Sequence, residues 1–374
     1  MQTNEAPAAP WKGRGRLQQL VAELDRQKQT KLDFVADARH LMVVAGNGGI
    51  MLAPSDGVAQ EWMPAAGLDI GHGALPQFGS RVEPNIPTRF LRDLAAQHPS
   101  TAAGLINDLL QVKPGRHFIR CLDGKVRAFL SNSYRVLDNF DLAFAALGVA
   151  REHNAEVIEA TLTDTNMRIK FTTRGIWDAI SETQERGEGG HLFMGRGDWE
   201  LPGGSGTVHP LVTVSNSETG HGGLNVQIGI LRAMCANMAV IESVQTHIHL
   251  GGKLEAGVYS EETLAMESKT IMLKCRDAIK AAFTPERFKK LMAKVNQAAE
   301  TPVERPREAV ENIIETAGLT DDDHDAILGY FLGDYDRNKY GLAQAVSRYS
   351  QDVEDADSAY ELEQIAGKVL AGAM

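Results

Sequence analysis

The stretch HFIRCLDGKVRAFLSNSYRVLDNFDL, residues 117–142, sets two short apolar runs on either side of Asp123-Gly124. Asp-Gly is the dipeptide that best tolerates the positive φ of a two-residue turn, so Phe118–Leu122 and Val126–Leu130 are expected to form a β-hairpin. Asp138 and Asn139 end the strand segment, and residues 141–150 are expected to be helical. A second hairpin is expected over residues 157–173. There Met167, Ile169 and Phe171 alternate with Arg168, Lys170 and Thr172, which predicts one buried face and one basic face.

Outward from the hairpins the pattern changes. Leu17, Leu20, Val21 and Leu24 recur at helical spacing in a segment running to about Met42. Residues 43–87 are rich in Gly and Pro and read as short strands and turns. Short helices are expected near residues 88–96 and 102–110. Residues 187–210 are Gly-rich and read as a long loop or lid. Residues 224–241 begin as a strand and read as helix from Leu231 to Val240. Beyond residue 260 the chain reads as helices, with Thr284-Pro285 and Thr320 as N-terminal signals. The expected fold is α+β: a central, mostly antiparallel sheet built from basic hairpins, with packed helices and a helical C-terminal region. Its expected divisions are a flexible basic arm (1–16), an α+β core domain (17–300) and an acidic helical region (301–374).

The 374 residues are 43% hydrophobic and 23% charged, an ordinary globular balance. No spanning-length apolar run and no secretory leader are found, so a cytoplasmic protein with no membrane partner is expected. Three widely separated cysteines exclude a zinc site built on cysteine alone. The formal net charge is −11, of which residues 301–374 contribute −10 (16 acidic, 6 basic). Residues 110–136 run the other way, with six basic residues and one acid. Such a local stripe can follow a phosphate backbone whatever the overall sign. Arg116, Arg120, Lys125, Arg127 and Arg135 of this stretch, with Tyr134 and with Arg168 and Lys170 of the second hairpin, are the candidate nucleic-acid-binding residues. Phe118 and Phe140 read as core, and Tyr134 as the stacking residue, because single strands are held by cations and aromatic faces together.

Other chemistry is weakly marked. There is no Walker A motif, no GxGxxG after a strand, no HExxH and no GxSxG. Asp334, Asp336 and Asn338 imitate the start of a calcium loop, but Lys339 and Ala345 stand where glycine and glutamate are required. His247 and His249 would share one face of a strand and could bind a metal with His221. Two histidines at that spacing are more often simply a polar strand end.

The chain resembles the phage- and plasmid-borne proteins grouped as a domain of unknown function, the DUF932 family. The resemblance rests on residues 119–142, in which Arg127, Tyr134, Arg135, Leu137, Asp138 and Asn139 match. It also rests on VSNSETGHGGLNVQIGILRAMCANMAV and HIHLG, in which Ser217, Glu218, Arg232, Cys235, Asn237 and His249 match. The third stretch, YGLAQAVSRYSQDVEDADSAYELEQIAGKVL, is similar to the family's closing helices. Together the matches span residues 80–371, and Met238 departs from the usual glycine. The resemblance implies a mobile-element setting and DNA metabolism, and supplies no catalytic residue. The leading expectation is a non-enzymatic homo-oligomer, without a cofactor, that binds and anneals single-stranded DNA without ATP. The alternatives are a metal-dependent hydrolase of nucleic acid or nucleotide, with Glu218 as base beside His221, His247 and His249, and a protein-binding host inhibitor or decoy.

Overall fold

The computed structural model describes residues 11–46, 48–57, 63–64, 67–112, 114–135, 137–179, 207–232, 237–247 and 261–374. Strand β1 (Gly13–Gly15) and helix α1 (Leu17–Thr30) lead to β2 (Lys31–Asp37), β3 (Leu41–Gly46), β4 (Gly49–Pro54) and β5 (Leu68–Ile70). Helices α2 (Leu75–Arg81), α3 (Thr88–Gln97) and α4 (Pro99–Val112) precede the hairpin of β6 (Arg116–Leu122) and β7 (Lys125–Ser131). Helix α5 (Asn139–Glu152) connects to β8 (Ala155–Leu162), β9 (Met167–Thr173), β10 (Asp178–Ala179), β11 (Thr207–Asn216), β12 (Leu224–Arg232) and β13 (Asn237–His247). The chain continues as α6 (Glu261–Ala282), α7 (Pro285–Glu300), α8 (Pro306–Ala317), α9 (Asp321–Asp334), α10 (Lys339–Ser350) and α11 (Ala356–Leu370).

This is an α+β fold, with the two hairpins divided between two sheets. The smaller sheet has the order β2-β6-β7-β5-β4-β3, and β5–β7 is its parallel pair. The larger has the order β1-β8-β9-β11-β12-β13, with β10 beside β11. Asp123 (φ 52°) and Gly124 (φ 74°) make the β6–β7 turn with positive φ at both positions, as the Asp-Gly signal predicts. One face of the smaller sheet buries Ile119, Cys121, Val126 and Phe129 against Leu91, Ile106 and Leu110 of α3 and α4. The larger sheet packs Ile169, Phe171, Val212 and Val226 against α5 and α6.

The opposite face of β9 corrects the sequence reading. Its basic residues do not face solvent: Arg168 and Lys170 are buried beneath α11. Alternation marked two chemically different faces, but a second helical layer covers the charged one. Gly367 of α11 lies so close to β13 that a Cβ there would come within 1.7 Å of the Val240 carbonyl oxygen. Two further expectations change. The helix from Leu17 stops at Thr30, and β2 follows; Leu231, Arg232 and residues 237–240 are strand rather than helix. An apolar run buried on both faces carries no period that separates the two states. The expected lid over 187–210 lies outside the described residues except for 207–210, which begin β11.

The N-terminal segment is tied down over residues 11–16. Gly13–Gly15 pair with Ala160–Leu162, Lys12 pairs with Asp164, and the Arg14 guanidinium donates to the Ser350 and Val353 carbonyls, each at 3.0 Å. Residues 301–374 form α8–α11, whose buried side chains share a core with α7 and with Val208, Ile230 and Ala239 of the larger sheet. No helix among the described residues is long and apolar enough to cross a membrane.

Candidate functional site

The two sheets meet at an ionic junction built on Glu218, in the turn that links β11 to β12. Gly220 supplies that turn's positive φ (76°), and its missing Cβ leaves room for Leu130 of β7. The turn is braced internally: Ser217 Oγ donates to the Thr165 carbonyl (2.6 Å) and accepts from the His221 amide (3.0 Å). It thereby carries a residue of the larger sheet over the smaller one.

The Glu218 carboxylate is almost fully buried and accepts from Lys31 Nζ (2.7 Å), Arg127 Nη2 (2.7 Å) and the Asn139 backbone amide (2.6 Å). Burial alone would raise its pKa, but Arg127, Arg120 and Lys31 outweigh that and hold it at about 2. Arg120 is fully buried and donates to Asp33 (2.7 Å), to Asp138 (3.1 Å) and to the Glu218 backbone carbonyl (3.1 Å). Its own burial disfavours the cation, yet Glu218 and Asp33 raise its pKa. The Tyr134 hydroxyl donates to the Ser217 carbonyl at 2.8 Å, and burial raises its pKa. Arg127, Tyr134, Asp138, Asn139, Ser217 and Glu218, separate in sequence, therefore converge. Asp138 stands at the N-cap of α5 without capping it; its carboxylate joins the ionic junction instead.

Placement divides the sequence-predicted cations. Arg120 and Arg127 belong to the junction. Arg168 pairs with Asp357 and lies 4.4 Å over the Tyr360 ring; Lys170 bonds Glu159 and Glu363, each at 2.7 Å. Arg135 is half-buried and 3.4 Å from Glu267. Arg116 and Lys125 are exposed and have no ion-pair partner among the described residues. Phe118, expected in the core, is half-buried on the solvent side of β6. Its ring lies 6.5 Å from that of Tyr134 at an interplanar angle of 20°.

The metal reading gains nothing from this geometry. Among the described residues no three His, Cys, Asp or Glu side chains are grouped to hold a metal ion. His221 Nδ1 lies 3.0 Å from Thr219 Oγ1; the His247 side chain and all of His249 lie outside the described residues. Glu218, held ionised by three cations, is a counter-ion and a poor proton acceptor.

Beside the junction lies a cleft of about 370 Å³, its walls drawn from both sheets and from the end of α1. Lys12, Arg26, His72 and Lys125 line it, as do Asn139, Thr163, Asn166 and Thr219. Sequence reasoning missed Lys12, Arg26, Gln27, Lys31 and Asp33, because only tertiary pairing brings α1 and β2 to the hairpin. No family model, no curated protein and no solved structure matches the chain. The family resemblance rests on the residues quoted for it.

Proposed function

We propose that the protein binds single-stranded DNA, and anneals it without ATP, in a phage or plasmid setting of DNA metabolism. The observation that carries this reading is the solvent face of β2 and β6. There the half-buried rings of Phe118 and Tyr134 lie nearly parallel beside Val35, which is 39% exposed. Alternation puts Arg116 on the same side of β6 as Phe118, and the Leu122–Lys125 pairing puts Lys125 on that side at the far end of the hairpin. Aromatic faces between unpaired cations suit a strand that stacks its bases and loses counterions, with each stacked base contributing about 1–3 kcal/mol.

The buried cations have a different part in this reading. Arg120, Arg127, Arg168 and Lys170 hold the scaffold that presents the face, so changing them tests folding rather than binding. The informative variant is Arg116→Ser with Lys125→Ser, measured by fluorescence anisotropy of a labelled oligonucleotide across a salt series. Two lost phosphate contacts should lower the log–log salt slope by about 1.4. Phe118→Ala should weaken binding by about 1–3 kcal/mol at every salt concentration. Wild-type affinity and slope in the folded double variant would sink the reading.

A further inference from the structure

The cleft beside the ionic junction contains two buried amide groups whose hydrogen-bonding capacity is half used. Asn139 is 4% exposed. Its Oδ1 accepts from Asn216 Nδ2 at 2.8 Å, and Asn216 Nδ2 also donates to the Leu137 carbonyl at 2.9 Å. Those two bonds fix the orientation of both amides and leave the Asn139 Nδ2 hydrogens without an acceptor among the described residues. Gln27 is likewise 4% exposed, and its Nε2 donates to Glu23 at 2.9 Å. A carboxylate accepts only, so the Gln27 Oε1 faces away from Glu23 and has no donor among the described residues. Both residues line the cleft. A buried amide normally finds partners for its donors and acceptors, so a donor and an acceptor without partners among the described residues, on two side chains that line one cleft, point to a ligand.

The remaining lining narrows the ligand class. Lys12 pairs with Asp164, Arg26 with Asp123 and Glu23, and Arg127 with Glu218, which leaves Lys125 as the lysine or arginine of the lining without an ion-pair partner among the described residues. Leu122 and Leu162 supply apolar surface. A volume of about 370 Å³ sits toward the small end of ligand sites, which run to roughly 300–1,000 Å³. A donor and an acceptor beside the apolar side chains of Leu122 and Leu162, in a lining whose carboxylates Glu23, Asp123, Asp164 and Glu218 are each matched by a cation and in which Lys125 has no such match, suit a nucleobase on its sugar phosphate. Each base carries donor and acceptor groups side by side on its pairing edge.

We infer that the cleft takes one nucleoside phosphate, free or as a single unstacked residue of a bound strand, with Asn139 Nδ2 donating to the base and Gln27 Oε1 accepting from it. In the strand-bound form the inference rests on the proposed function; in the free form it stands alone. Asn139→Asp keeps the oxygen that serves Asn216 and removes the donor. Gly73→Leu fills the cleft from a position where a Cβ meets nothing closer than 3.7 Å. Phe90→Ala, at a residue 53% exposed on α3 and outside the cleft lining, serves as the contrast.

Calorimetric titration of the full chain with dAMP, dCMP, dGMP and dTMP is run beside anisotropy of a labelled oligonucleotide and of the same oligonucleotide with abasic residues. At least one mononucleotide should bind with one-to-one stoichiometry. Each cleft variant should weaken it by about tenfold, the loss of roughly one hydrogen bond, while Phe90→Ala leaves it unchanged. The abasic oligonucleotide should bind more weakly than the intact one. If the oligonucleotide binds, no mononucleotide does, and both cleft variants keep oligonucleotide affinity, the cleft inference is overturned and the strand reading survives. Mononucleotide binding without strand binding upholds the cleft and removes the strand reading. Binding of neither ligand removes both.

Discussion

Glu218 shows how one residue can look catalytic in sequence and act otherwise. A carboxylate near histidines suggests a base, whereas its three donors and its burial make it the anion that joins two sheets. Glu218→Gln keeps the shape and leaves Lys31, Arg120 and Arg127 short of negative charge. Breaking a buried pair in this way should cost about 3–5 kcal/mol, read as a lower midpoint in denaturant. The acid response follows from the same pKa. Glu218 sits at about 2 in the folded chain against its ordinary 4.5, so it binds fewer protons folded than unfolded between those values. Its contribution is complete above the unfolded value and is lost as pH falls through that window, on the order of 3 kcal/mol in all. Equilibrium unfolding at a series of acidic pH values should show this loss in the wild type and a flatter acid limb in Glu218→Gln.

At the scale of elements, the contact between α11 and β13 is set by a missing side chain. Gly367→Ala would drive a Cβ into the Val240 carbonyl, so helix and strand must part. The predicted result is a clear loss of stability despite alanine's better helix propensity. Gly329→Ala in α9, where a Cβ meets nothing within 4 Å, should instead gain about 0.5–1 kcal/mol. Thermal melts of the two variants should therefore move in opposite directions. Local signals of this kind were largely legible. Asp123-Gly124 predicted its hairpin, and Thr320 caps α9 through a reciprocal bond with Asp323. What the sequence did not reveal is pairing across distance. Nothing near Lys170 announces Glu363, and nothing near Arg120 announces Asp33, so cations read as a surface stripe turned out to be buried partners. The site was legible in its members Tyr134, Asp138 and Glu218, and not in their mutual contact.

For the whole molecule, the layers are fastened to one another. Asp357 and Glu363 of α11 bind Arg168 and Lys170 of the larger sheet, while Arg14 of the N-terminal segment binds the carbonyls of Ser350 and Val353. Residues 301–374 thus pack on the larger sheet through α11 and a shared core. Calorimetry of the full chain should show residues 301–374 unfolding together with the larger sheet. An early separate transition that releases only α8–α11, tracked by hydrogen exchange, would contradict this.

The position of β1 has a consequence for synthesis on the ribosome. Among the described strands, β2 to β7, residues 31–131, find all their sheet partners among themselves, whereas β1 pairs only with β8, and Arg14 reaches Ser350. The smaller sheet can thus close while the chain is still emerging. Residues 13–15 must wait, unpaired with β8, for a strand that emerges some 145 residues later, and Arg14 for a carbonyl 336 residues further along the chain. Strand β1 is among the last parts to fold, and an early-emerging module is held between two halves of one that finishes late.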